Sequence, residues 1–423
     1  MIRLSFLGGC REVGRSAVLV DTGTEKILMD YGIKINVKPT QHPNKINTKL
    51  NAILLSHSHL DHSGAIPVLF HQGQKCPVCC MGINRSFSQM LFLDSYKISR
   101  YEGEKERYSK ADIKKTMKKF KTIKYRKPFK IGKTKITAFD AGHIPGSAIF
   151  LLENQNKRIL YTGDFNTSDT RLINGCDSDI PQVDVLITES TYAQREHPNR
   201  EKEERNFIEM IRGTLANDGI ALVACFAIAR AQEIILVLDE YELKERIYLD
   251  GMAKKATRIM NGFPATQREY DQVKKAMQRL RVKPVTNRSI RKKAIKKPSI
   301  IITTSGMLSG GPIVNYIERL WDREDCSLIL TGFQVPGTEG AILLQTGRYI
   351  HSNMELPVKM NVRKFDFSSH TSRSGLFKFV KKLNPGKVFC LHGDDTKKFA
   401  QELRDEYSFD AVAPKLGDSF SVK

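Results

Sequence analysis

The segment Ser56-His57-Ser58-His59-Leu60-Asp61-His62 puts four metal-competent side chains within six residues. Imidazole and carboxylate donors without thiolate suit zinc or a harder divalent ion, held in an open catalytic site rather than a closed structural one. In an extended segment alternate residues share a face, so His57 and His59 can reach one cation. Asp61 and His62 follow where the chain turns and can serve a second cation beside it. A lone histidine is usually a satisfied polar group. A His-x-His-x-Asp-His run directly after the apolar stretch Ala52–Leu55 is not explained that way.

Further ligands are expected from other glycine-permitted turns. Ala141-Gly142-His143-Ile144-Pro145-Gly146-Ser147 offers a histidine, and Tyr161-Thr162-Gly163-Asp164-Phe165 a carboxylate. Asp164 has two oxygens and can bridge two ions, offsetting their repulsion. His392, in Leu391-His392-Gly393-Asp394, can complete the ligand set of the second ion. His57, His59, His62, His143, His370 and His392 all adjoin such turns, whereas His42, His71, His197 and His351 do not and read as structural or surface residues.

The elements that must position these groups are legible as β-branched, apolar runs. They are Ala52–Leu55, Ile159–Tyr161, Val183–Thr188, Ile220–Phe226, Arg246–Leu249, Ile300–Thr304, Leu328–Leu330 and Val388–Leu391. Helical patterns lie between some of them, at Ala229–Leu243 and Met252–Asn261. Alternation of this kind predicts α/β layering, in which ligands gather at the carboxyl ends of strands.

Taken together, the His57-x-His59-x-Asp61-His62 run, His143, Asp164 and Asp30 (closing Leu28-Met29-Asp30) resemble the metal motifs of the metallo-β-lactamase superfamily. Glu189 in Ile187-Thr188-Glu189-Ser190, His370 in Phe367-Ser368-Ser369-His370, and His392 resemble motifs A, B and C of the β-CASP ribonucleases. Ser305-Gly306-Met307-Leu308-Ser309-Gly310-Gly311 and Gly332-Phe333-Gln334-Val335-Pro336-Gly337-Thr338 are similar to that group's glycine-rich segments. Within it the chain resembles archaeal homologues of RNase J and of the cleavage and polyadenylation specificity factor. One departure is Thr371-Ser372-Arg373, where many members carry a small residue and then an acid.

The resemblance implies an α/β fold: a four-layered αββα metallo-β-lactamase domain from residues 1–190 and 357–423, with an α/β β-CASP domain inserted at 191–356. It implies two Zn²⁺, with Mn²⁺ or Mg²⁺ as substitutes. His57, His59, His143 and Asp164 would hold one ion, and Asp61, His62, Asp164 and His392 the other. Asp61 would also orient the nucleophile. His370 would assist the leaving oxygen, Glu189 would fix its tautomer, and Asp30 would buttress a ligand histidine. Ser305, Gly306, Ser309, Gly310 and Gly311 would line the RNA path, since glycine turns let backbone N–H groups approach phosphate. Turns of this composition are mostly only turns; the buried run before them and the metal motifs make the functional reading the better one.

Composition bounds the rest. The 423 residues, 40% hydrophobic and 27% charged, exceed one small core and exclude wholesale disorder. No run of eighteen apolar residues occurs and the start does not read as a signal peptide, so a cytoplasmic protein without a membrane partner is expected. Eight scattered cysteines, among them Cys76-Pro-Val-Cys79-Cys80, argue against a disulfide framework. The formal charge of +22 is concentrated in residues 105–135, with fourteen Lys/Arg and two acids, and residues 274–297, with eleven Lys/Arg and no acid. Concentrated positive charge attracts a polyanion, so single-stranded RNA is the expected partner. Lys114, Lys118 and Lys121 are the candidate contacts, on a helix whose stripe is Ile113, Met117 and Phe120; the bland alternative is a solvated helix face.

With no RNA-binding extension before Met1, RNA is expected on the two core domains, and a homodimer stays open. The expected activity is 5′→3′ exoribonuclease action in RNA processing or decay. The alternative is endonucleolytic 3′-end cleavage. A small-molecule metallohydrolase or an inactive RNA-binding scaffold is a lesser one.

Overall fold

The structure is a computed structural model describing residues 1–35, 37–263 and 268–422. The chain forms two compact units. One comprises Met1–Asp169, Ile173–Glu196 and Ser369–Lys423, the other Thr170–Leu172 and His197–Ser368.

The first unit contains two seven-stranded sheets. One runs, in spatial order, Ser419–Val422, Ile2–Gly8, Ala17–Asp21, Lys26–Met29, Ala52–Leu54, Val78–Met81 and Phe120–Ile123. The other runs Ala411–Val412, Lys387–Leu391, Val185–Glu189, Lys157–Tyr161, Ala148–Asn154, Thr134–Asp140 and Phe129–Ile131. Both sheets join the ends of the chain: Ile2 pairs with Val422, and Val185 with Lys387.

Strand alternation builds four layers. Ile2, Leu4, Phe6, Ile27, Met29, Val185, Ile187, Phe389 and Leu391 point between the sheets and share one core. Their neighbours in sequence point outward. Leu28 and Ile53 pack beneath helices Ile66–His71, Gly82–Tyr101 and Lys110–Met117. Leu186, Val388 and Cys390 pack beneath Arg373–Leu383 and Thr396–Tyr407. The order is helices, sheet, sheet, helices.

The second unit is built on a six-stranded sheet, Lys283–Pro284, Ile247–Leu249, Ser299–Thr303, Ile220–Ala224, Ser327–Leu330 and Asn361–Lys364, in which every pairing is parallel. Its central strands are buried at every residue, as expected of a sheet covered on both faces.

All eight apolar runs form strands, and the two helical patterns form Arg230–Glu240 and Ala253–Asn261. One expectation fails. The helix carrying Ile113 and Met117 does not reach Phe120: it ends at Met117, and Phe120–Ile123 pairs in parallel with Val78–Met81. Phe120–Ile123 forms the sheet edge, with Lys121 and Thr122 exposed and Phe120 and Ile123 half-buried, and its β-branched Thr122-Ile123 pair suits a strand better than another helical turn. No helix among the described residues is long and apolar enough to cross a membrane.

Candidate metal centre

Parallel pairing brings the site together. Lys157–Tyr161, Val185–Glu189 and Lys387–Leu391 are parallel neighbours, so Asp164, Glu189 and His392 emerge at one end of one sheet. In the facing sheet Lys26–Met29 and Ala52–Leu54 are likewise parallel and deliver Asp30 and the His57–His62 loop. Gly163 turns the chain toward Asp164 with φ +54°, and a Cβ there would lie 2.5 Å from Ser56 Cβ. Only glycine fits that approach.

Two groups of donor atoms result. His57 Nε2 and His143 Nε2 lie 3.1 and 3.4 Å from His59 Nδ1, and 3.6 and 3.8 Å from Asp164 Oδ2. Asp164 Oδ1 lies 3.1 Å from His62 Nε2 and 3.7 Å from His392 Nε2, itself 3.7 Å from Asp61 Oδ2. Asp164 thus divides its oxygens between the groups. Ligands about 2.1 Å from a tetrahedral ion are about 3.4 Å from one another, and these separations bracket that value.

The hydrogen bonding points the same way. His62 Nδ1 lies 2.7 Å from Asp30 Oδ2, so its Nε2 presents a lone pair toward Asp164 Oδ1. Both of those atoms are buried without a hydrogen-bond partner. Two facing acceptors repel unless a proton or a metal ion joins them. With Asp61 and His392 at ligand separation from the same pair, the residues fit a divalent metal.

Electrostatics agree. Burial lowers the pKa of His57, His59 and His143, keeping these imidazoles neutral as ligands must be. Burial opposes the charge on His62, yet Asp164 and Asp30 outweigh it and raise its pKa well above the usual histidine value. Positive charge is favoured at that position. Asp164 is held well below the carboxylate range, because His392 and His62 outweigh its burial.

The other ring nitrogens are held from outside. His57 Nδ1 lies 3.1 Å from Ser56 Oγ, His143 Nδ1 2.9 Å from the Ser369 carbonyl and His392 Nδ1 2.7 Å from Ser16 Oγ. Asp30 also accepts from Ser56 N (2.7 Å), Ser56 Oγ (2.6 Å) and the Tyr161 hydroxyl (2.8 Å). Sequence reasoning named Asp30 but missed Ser16, Ser56 and Tyr161. Of these, Ser56 and Tyr161 lie inside motifs already singled out, and Ser16 had no such signal.

His370 stands beside the first group, its ring 4.5 Å from that of His143. Its Nδ1 lies 3.0 Å from both oxygens of Glu189, and Glu189 Oε1 also accepts from Phe165 N at 2.9 Å. Burial would lower the His370 pKa, but Glu189 outweighs it and raises it to about 9. The departure after His370 is structural in effect: Ser372 caps helix Arg373–Leu383, and Arg373 bonds Glu402 at 2.6 Å.

The lysine candidates for RNA contact lie elsewhere in the first unit. Lys114, Lys118 and Lys121 are exposed. Lys118 lies two residues before the edge strand Phe120–Ile123, at the amino-terminal end of the parallel strands, opposite the end that bears the His57–His62 loop. Ser305–Gly311 follows strand Ser299–Thr303 in the second unit. Gln334 Nε2 bonds the Gly306 carbonyl at 2.9 Å and so ties the two glycine-rich segments together. Ser309 is engaged by Glu339, whereas the buried Ser305 hydroxyl has no hydrogen-bond partner among the described residues. Within 274–297, Arg291 and Arg279 are bound to Asp250 and Asp239.

The chain matches the Metallo-beta-lactamase superfamily domain over residues 18–191, the Beta-Casp domain over 231–343 and the Zn-dependent metallo-hydrolase RNA specificity domain over 355–414. It is 37% identical to the probable RNase MJ4 of Methanocaldococcus jannaschii across 100% of both chains. It is 33% identical to RNase aCSPSF2 of Saccharolobus solfataricus, over 99% of this chain and 85% of that protein. Against transcription termination factor FttA of Methanocaldococcus jannaschii the identity is 33%, over 100% of this chain and 72% of that protein. With its αββα unit, the parallel six-stranded sheet of its second unit and its caged histidines, the chain belongs to the β-CASP metallo-hydrolases of the metallo-β-lactamase superfamily.

Proposed function

We propose that this chain is a two-zinc ribonuclease that hydrolyses phosphodiester bonds of single-stranded RNA in the 5′→3′ direction. The observation that carries it is the shared carboxylate, Asp164, whose two oxygens each face their own set of imidazoles. His57, His59, His143 and Asp164 hold one ion; Asp61, His62, Asp164 and His392 hold the other. When bound, such a pair lowers the pKa of water and offsets the charge of the phosphate. The names of the relatives MJ4 and aCSPSF2, both RNases, support RNA as the substrate.

The chain's own groups supply the proton traffic. Asp61 is the less buried carboxylate of the cage, with a third of its side chain exposed, and orients the attacking water. As the new oxygen–phosphorus bond forms and the old one breaks, His370 gives its Nε2 proton to the leaving oxygen. Glu189 holds the opposite nitrogen and favours the protonated ring.

A second reading, endonucleolytic 3′-end cleavage, is favoured by the likeness to a transcription termination factor. RNA labelled at either end and bearing 5′-monophosphate, 5′-triphosphate or 5′-hydroxyl separates the two. Mononucleotides released from the monophosphorylated RNA alone support the exonuclease. Internal fragments regardless of the 5′ group support the endonuclease. RNA left intact while a thioester is turned over refutes both.

A further inference from the structure

Among the described residues, Phe226 and Phe333 are the phenylalanines that stand out as exposed, at 36% and 41%, while many others are fully buried. Each follows a central strand of the second unit, Ile220–Ala224 and Ser327–Leu330, which are parallel neighbours. Both therefore lie at the carboxyl-terminal edge of the sheet, the edge where ligands bind in parallel α/β units.

Glycines keep that edge open. A Cβ on Gly332 would lie 3.2 Å from Phe226 Cε2, and one on Gly306 would lie 3.1 Å from Phe226 N. The Phe226 ring thus adjoins bare backbone at Gly332. The unit that carries both rings is also basic: residues 274–297 hold eleven Lys/Arg and no acid, and Arg288, Lys292 and Lys293 are exposed on the helix that follows edge strand Lys283–Pro284. Exposed flat rings on a basic unit match a ligand that is itself flat, apolar-faced and polyanionic. Single-stranded nucleic acid has that chemistry, and an apolar peptide does not.

We propose that Phe226 and Phe333 are a stacking platform for unpaired nucleobases, which makes them determinants of the enzyme's selectivity for single strands. The proposal rests on the ribonuclease reading and deepens it. Paired bases have both faces covered by their neighbours and cannot use the platform.

The test is a cycle between side chain and base. Zinc-loaded wild type, Phe226→Ala, Phe333→Ala and Phe333→Tyr are assayed on a short single-stranded RNA and on copies with one abasic residue at successive positions. Each alanine variant is expected to raise KM roughly 5- to 150-fold, the range of one lost base–aromatic stack of about 1–3 kcal/mol. Phe333→Tyr should keep the wild-type KM. One abasic position should raise the wild-type KM by the same factor and add nothing in the matching alanine variant. Thermal melting and metal content of the variants report whether they fold. Folded alanine variants that cleave every RNA with the wild-type KM overturn the platform while leaving the ribonuclease intact. Additive losses from side chain and base overturn it too. A wild type that cleaves no RNA overturns the underlying reading instead.

Discussion

Replacing Asp30 by asparagine isolates one ligand of the cage without touching it. Asp30 receives four donors: Ser56 N, Ser56 Oγ, His62 Nδ1 and the Tyr161 hydroxyl, all within 2.8 Å. Asparagine keeps one acceptor oxygen and adds an N–H₂ donor. If the oxygen retains Ser56 N, the amide nitrogen faces the other three groups. The two hydroxyls can rotate and accept. His62 Nδ1–H cannot, unless its proton moves to Nε2 and removes the lone pair that would bind metal. A buried donor left unpaired costs about 1–3 kcal/mol, or roughly 5- to 150-fold in affinity. Metal-free Asp30→Asn protein, titrated with Zn²⁺ against a chromophoric chelator, should show one binding step weakened by that factor. The step assigned to His57, His59 and His143 should hold. Two steps at wild-type affinity, or equal loss of both, would refute the reasoning.

The same titration of Ser16→Ala should weaken the His392-containing step about 10- to 100-fold, since the His392 Nδ1 partner is lost while the Ser16 N–H still holds the Asp61 carbonyl; unchanged affinity sinks the assignment. Asp112 predicts a pH signature. Burial would raise its carboxyl, but hydrogen bonds from Ser109, His71 and Lys115 hold it below the usual carboxylate range. A lowered folded-state pKa adds stability above the unfolded value, about 3.8, that is lost as pH falls below it. Asp112→Ala should therefore be less stable by about 1–2 kcal/mol near neutrality, with the gap to wild type closing in acid below about pH 4; a gap constant with pH contradicts this. Changing Lys114, Lys118 and Lys121 together to glutamine should lower the salt slope of RNA binding by up to about 2, at roughly 0.7 per single-strand phosphate contact, with metal content unaltered. An unchanged slope returns that face to mere solvation.

Local chemistry made most of the scaffold readable. Runs such as Ile300–Thr304 are β-branched on both faces and buried throughout, as a central strand requires. The stripe Ile113, Met117 and Phe120 misled because a period of three or four residues persists across a helix end, while the strand that starts at Phe120 has only four residues and no alternation to announce it. The atoms that would hold metal were legible because imidazole and carboxylate cluster next to glycine turns. Their supports were not. Ser16 meets His392 across 376 residues and Tyr161 meets Asp30 across 131, contacts that exist only once both sheets close on one another. Charge was legible as amount and not as use: Arg279 and Arg291 are spent on Asp239 and Asp250.

The most direct test of the account is elemental analysis joined to metal removal. Purified protein should carry two divalent ions per chain, and His62→Ala should carry one. Stripping with a chelator should abolish RNA cleavage, and Zn²⁺ should restore it. Protein that binds no divalent ion, or that cleaves RNA at full rate after stripping, would contradict the cage on which everything else depends.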